Sequence, residues 1–173
     1  MITGGVVLNP PTMLDEIQSL TDRDIQVKRN LKISDRAHVV MPWHLAEDRA
    51  LDQATQGDNN IGTTLRGIGP CYRDKVGRSY AIRLGDLYRP EFPERVREIV
   101  AVKQRVLAGI GDESEMASLN ADEIIRQYQG YAEQLKDFVC DTNTLLLDAA
   151  EAGKKLLFEG AQGALLDLSL IHI

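Results

Sequence analysis

Two hydroxyls and a guanidinium, Thr63, Thr64 and Arg66, stand among three glycines, Gly62, Gly67 and Gly69, in a run closed by Pro70. Lys75 and Arg78 follow. Glycine lets backbone approach a ligand closely and reach positive φ. Successive amides in such a loop can form a concavity for an anion. Hydroxyls supply directed donors, the planar fork of arginine suits phosphate, and a lysine ammonium adds a point charge. Together these residue types can capture a phosphate ester. The run has no GK[ST], so it is not a Walker A loop. The break at Pro70, with no clear strand before it, also separates it from a dinucleotide fingerprint. A second block, Phe158-Glu159-Gly160-Ala161-Gln162-Gly163, offers a carboxamide that both donates and accepts. That chemistry matches the mixed edge of a purine base. Glu159 reads as a loop-ordering carboxylate. His38 and His44 have no visible carboxylate partner in the sequence and read as packing or surface residues.

The elements that must position these groups follow the α/β pattern. Val6–Leu8 is a short apolar run with strand character. Asn9 can cap a helix begun by Pro10 and Pro11, and Leu14, Ile17 and Leu20 recur at helical spacing. Leu31–Ser34 and Ala37–Met41 read as short strands. Pro42 starts a helix with an apolar stripe of Leu45, Ala46, Ala50, Leu51 and Ala54. Ala81–Leu84 reads as a strand or the end of a turn. A helix spans residues 94–108 with Val96, Ile99, Val100, Lys103, Val106 and Leu107 on its inner face, and 109–119 reads as an acidic loop. Residues 121–138 form an amphipathic helix with Ile124, Ile125, Tyr128, Tyr131, Leu135 and Phe138 on one side. Asp141 caps a further helix ended by Gly153. Lys155–Phe158 reads as a buried parallel strand emptying into the second block, where α/β sheets bind ligands.

The bulk properties narrow the function classes. The 173 residues amount to one domain or a piece of a larger one, with 43% hydrophobic content and a net charge of -6. An isoelectric point near 5.1 excludes nucleic-acid binding by bulk electrostatics but leaves room for a local basic cluster. No apolar run reaches the length of about 18 residues that a membrane span needs. The N-terminus has no signal-peptide pattern, so the expected location is cytoplasmic. Cys71 and Cys140 form no CxxC and read as free thiols in a reducing compartment.

The spacing Gly67-Ile68-Gly69-Pro70-x-Tyr72-x-x-Lys75-x-x-Arg78, preceded by Gly62-Thr63-Thr64, resembles the central signature of the adenylosuccinate synthetase family. Phe158–Gly163 with Leu165-Leu166-Asp167 resembles a second part of that family, in the same order. Weaker likeness runs from Gly5–Pro10 through Ile33–His38, so the resemblance covers residues 1–168, with 169–173 as a tail outside the pattern. Leu65 departs from it, since the family has glycine there.

The resemblance implies part of a mostly parallel sheet of a P-loop GTPase-like α/β fold with long helical insertions. It implies a ligase of AMP biosynthesis. GTP phosphorylates the 6-oxygen of IMP, and L-aspartate displaces that phosphate. Thr64, Arg78 and Gln162 match IMP-contacting positions, with Arg78 reaching the nucleotide of a partner subunit in a homodimer. Lys75 matches the signature lysine associated with activity. Mg²⁺ and GTP are implied as well, with the family's ligands for both largely outside these 173 residues, in which no GDEGKGK segment occurs. The expectation is a central piece of the ligase that does not turn over alone. Its alternative is a non-catalytic module that binds a nucleoside monophosphate or dimerises, or an inactive truncated product.

Overall fold

The computed structural model describes residues 1–54, 64–110 and 113–160. Its contacts divide the chain into Met1–Thr142 and Asn143–Ile173.

The first unit begins with β1 (Val7–Leu8), which pairs in parallel with β3 (His38–Val39). Between them lie α1 (Pro10–Thr21), the single turn α2 (Val27–Asn30) and β2 (Ile33–Ser34). β2 pairs in parallel with β4 (Val139–Cys140), registering Ile33 with Val139. The expected parallel α/β character is present, in two-residue ladders rather than long strands. Helices carry most of the chain. Asn9 occupies the N-cap of α1 in extended geometry, and Pro10 fills the first turn, where its missing N–H costs nothing.

α3 (Pro42–Ala54), α4 (Ile68–Gly77), α5 (Phe92–Ile110) and α7 (Ala121–Leu135) form the body around the site. A 3₁₀ segment, Leu84–Tyr88, precedes α5, so residues 81–84 contribute one isolated bridge, His38 to Arg83, rather than a strand. The acidic stretch 109–119 is not all loop: Glu113–Ser118 forms α6. The core runs through Ile33, Val39, Met41, Trp43, Leu84, Phe92, Ile99, Leu107 and Leu135, each at most 2% exposed. Tyr128 spans it from α7, donating its hydroxyl to the Val40 carbonyl at 2.8 Å.

The inner face of α3 differs from its apolar stripe. Glu47 and Asp48 are buried while Leu51 is 38% exposed. Carboxylates enter this interior because cations meet them there. Lys103 of α5 is buried and places its ammonium 2.9 Å from Glu47 Oε1 and 2.7 Å from Asp74 Oδ2. Arg73 closes on the other oxygen of Glu47. Two cations and two carboxylates thus join three helices.

The second unit contains α8 (Thr142–Glu151) from Asn143 onward. Gly153 ends it at φ +70, and its N–H and that of Lys154 return to the carbonyls of Ala150 and Ala149. Lys155–Phe158, expected as a buried strand, is irregular and exposed, with Leu157 at 95% and Phe158 at 71%. A strand needs a ladder partner for its amides, and none pairs with it among the described residues.

Replacing Lys103 by Met leaves two carboxylates buried against a single remaining cation. The expected cost is about 3–5 kcal/mol of unfolding free energy, read from urea midpoints. A cost below about 1 kcal/mol would mean that this cluster does not hold the helices together.

Candidate functional site

The glycine-rich run enters α4 through Gly67, its N-cap, at φ +71. A Cβ there would sit 3.0 Å from the His44 backbone and side chain and from the Leu45 nitrogen, so this position requires glycine. The Gly67 amide donates to Asp48 Oδ2 at 2.9 Å, which pins the loop to α3. Pro70 lies in the first turn of α4, where it is tolerated. Gly62 and Thr63 lie outside the described residues. Thr64 is exposed before the N-cap. Leu65 adopts φ +54, a left-handed conformation that costs a branched residue about 1–2 kcal/mol.

α4 has an inner face and an outer one. Asp74, 5% exposed, turns inward. Lys75 turns outward, and Arg78 forms the C-cap at φ +65 with its amide bonded to the Asp74 carbonyl at 2.8 Å. The Lys75 ammonium donates to the Gly4 carbonyl at 3.3 Å and to the Gly5 carbonyl, and lies 5.1 Å from the Tyr72 ring centre. Burial lowers its pKa.

Beside this end of α4 is a cavity of about 430 Å³. Lys75, Arg78, Arg83, Arg89 and Arg95 line it against Asp86 and Glu91, a formal balance of five cations to two anions. In a chain of net charge -6 this is a strong local reversal. It can hold a phosphate-sized anion through several charge-assisted hydrogen bonds. The structure therefore brings Lys75 and Arg78 to one cavity. It does not bring Thr64 there: Thr64 and Arg78 flank opposite ends of a ten-residue helix, about 15 Å long. Gln162 and Gly163 lie outside the described residues.

Both histidines acquire partners or surroundings that sequence spacing did not reveal. His44 is 1% exposed. Its Nδ1 accepts from the Met41 amide at 2.9 Å, and its Nε2 lies 3.1 Å from Asp74 Oδ2. The Trp43 indole N–H donates to the same Nε2 at 3.0 Å, so that nitrogen is shared between the indole and the Asp74 carboxylate. Burial lowers the His44 pKa against the opposing pull of Asp74. Burial alone would raise Asp74, but hydrogen bonds from His44 and Lys103 outweigh it and hold the carboxyl below 3.8. His38, 7% exposed, lines the cationic cavity. Cys71 is buried, its thiol pushed up to about 12 by burial, and both cysteines are free. Among the described residues no group of three or more His, Cys, Asp or Glu side chains could hold a metal ion.

Leu65→Gly should stabilise the chain by about 1 kcal/mol, because it removes left-handed strain from a residue with little burial to lose. A raised thermal midpoint checks this, and a lowered one would show that Leu65 packs productively. Acid should weaken the fold in a defined window. Unfolding returns His38 and His44 to about 6.5, so the unfolded chain binds protons first as pH falls below that value. The stabilising charge of Asp74 is lost only below 3.8. Urea midpoints should be flat from pH 8 to 7 and decline between about 6.5 and 5. A flat profile through that interval would refute neutral burial of the two imidazoles.

The adenylosuccinate synthetase family pattern matches residues 1–170. The chain is 46% identical over 170 residues to adenylosuccinate synthetase of Caldanaerobacter subterraneus subsp. tengcongensis, covering 97% of this chain and 39% of that one. It is 46% identical over 172 residues to the enzyme of Thermoanaerobacter pseudethanolicus, covering 98% and 39%. A solved structure of fully ligated adenylosuccinate synthetase from Plasmodium falciparum superimposes with a TM-score of 0.83 at 26% identity, covering 96% of this chain and 37% of that chain. The chain thus spans about two fifths of the length of the curated relatives it matches. A family match across nearly all 173 residues, on a fold shared with a solved relative, shows that this chain belongs to the adenylosuccinate synthetase family.

Proposed function

We propose that this chain supplies part of the IMP site of a GTP-dependent IMP–aspartate ligase. The observation that carries the reading is the meeting of Lys75 and Arg78 at one strongly cationic cavity. A nucleotide 5′-phosphate brings two negative charges, and a guanidinium with an adjacent ammonium matches it in charge and geometry. Thr64, at the other end of α4, serves a separate phosphate contact. The separation along α4 supports a division of labour between copies, in which Arg78 reaches the nucleotide held by Thr64 and Gln162 of a second copy in a homodimer.

The chemistry of such a ligase needs the 6-oxygen of IMP made into a leaving group. GTP would supply the phosphoryl group, and Mg²⁺, when bound, would offset the charge of its phosphates. This chain's own residues bind and orient. Gly67, locked to Asp48, sets where the loop bearing Thr64 ends. Asp74, bonded inside, sets the face on which Lys75 and Arg78 emerge. The proposed setting is the cytoplasm.

Calorimetric titration with IMP tests the reading. Arg78→Ala and Thr64→Ala should each weaken binding by about tenfold to a hundredfold, the effect of losing a hydrogen bond to a charged group. No heat at millimolar IMP would remove it. If Arg78 acts across a dimer, mixing the two variants should restore roughly one quarter of the sites, since hybrid dimers rebuild one intact site each. No recovery on mixing would place both residues at a site within one chain.

A further inference from the structure

The charge of the cavity raises a question about its one imidazole. His38 of β3 lines the cavity together with Lys75, Arg78 and Arg83, and its backbone bridges that of Arg83. It is 7% exposed, and its Nδ1 is fully buried with no hydrogen-bond partner among the described residues. A buried ring nitrogen without a partner is costly unless something else uses it. We propose that the cavity is a proton-coupled site for a doubly charged anion, in which His38 takes up a proton as the anion settles among Lys75, Arg78 and Arg83. This rests on the reading of Lys75 and Arg78 as phosphate ligands and extends it to His38 and Arg83.

The electrostatic logic follows from what faces the ring. Lys75 from α4 and Arg83 from the segment before α5 repel a proton on His38. Asp86 attracts one more weakly, and His44 opposes it slightly. β1, which pairs with β3, contributes Val7 and Leu8 and no charge. Burial, reinforced by the two cations, holds the imidazole at about 4. A dianion among those cations offsets two of their positive charges and so weakens the repulsion of a proton on His38. An opposite charge within about 4–6 Å favours the protonated form, and the protonated ring returns an attraction to the ligand. By linkage, any rise in the His38 pKa on binding appears as tighter binding at lower pH. Asp86 and Glu91 also line the cavity, so the effect must be read at His38 itself.

Sulfate is the probe, because it stays doubly charged throughout the range where a phosphate ester titrates. His38 ring resonances of the full chain, followed by NMR from pH 8 to 5, should show no titration midpoint in that range without sulfate and, with saturating sulfate, a midpoint at least two units above the value of about 4. Sulfate affinity should rise several-fold between pH 7.5 and 5.5. His38→Gln should flatten that rise while binding persists at pH 7.5, and Arg83→Ala should weaken binding throughout. A midpoint unmoved by bound sulfate, or a His38→Gln variant with the full pH dependence, would overturn the proposal. So would a sulfate affinity indifferent to Arg83→Ala. IMP binding that needs Arg78 yet leaves His38 silent would sink this inference and keep the nucleotide reading. Sulfate coupled to His38 without any IMP binding would do the reverse.

Discussion

A lysine ammonium held in the protein interior between two carboxylates from two other helices is the constraint on which the site depends. Lys103 comes from α5, Glu47 from α3 and Asp74 from α4. Desolvating such charges costs several kcal/mol each, and their attraction regains it only with good geometry. Apolar packing between these helices would tolerate sliding and rotation of a few degrees. Hydrogen bonds from a fixed ammonium do not. With Asp74 held inward, the neighbouring position Lys75 and the C-cap Arg78 emerge on a defined side. The buried cluster thus aims the exposed one.

Charge in this protein is a local matter. The acidic average says that the surface as a whole repels anions, while the cavity beside α4 gathers five cations against two carboxylates. A small dianion can be drawn to such a place where a long polyanion would be turned away by the rest of the surface. That selectivity fits membership in a family of nucleotide ligases better than the overall composition alone could show.

Much of this architecture was legible in the residues. Prolines marked the starts of α1 and α3, period-3.6 patterning marked α5 and α7, and Gly153 marked the end of α8. The signature spacing identified the family and pointed to Lys75 and Arg78. Lys103 stood on an otherwise apolar face, a sign of burial that the structure bears out. What it pairs with could not be read, because Asp74 and Glu47 lie 29 and 56 residues earlier and meet it only through tertiary packing. The same holds for His44 and Asp74. Val106, assigned to the inner face of α5, is 41% exposed, for periodicity cannot tell the edge of a stripe from its centre. α6 was lost in an acidic stretch whose polarity resembles a loop. Lys155–Phe158 has the composition of a strand, but composition cannot supply the neighbour that a ladder requires.

The single tryptophan of the chain, Trp43, lies fully buried with its ring 5.6 Å from that of His44, edge to face. Its indole therefore looks directly onto the meeting place of α3, α4 and α5. The protein carries its own optical probe at its most demanding spot: ultraviolet emission from one fluorophore would report whether the hidden ions remain in place, without any label.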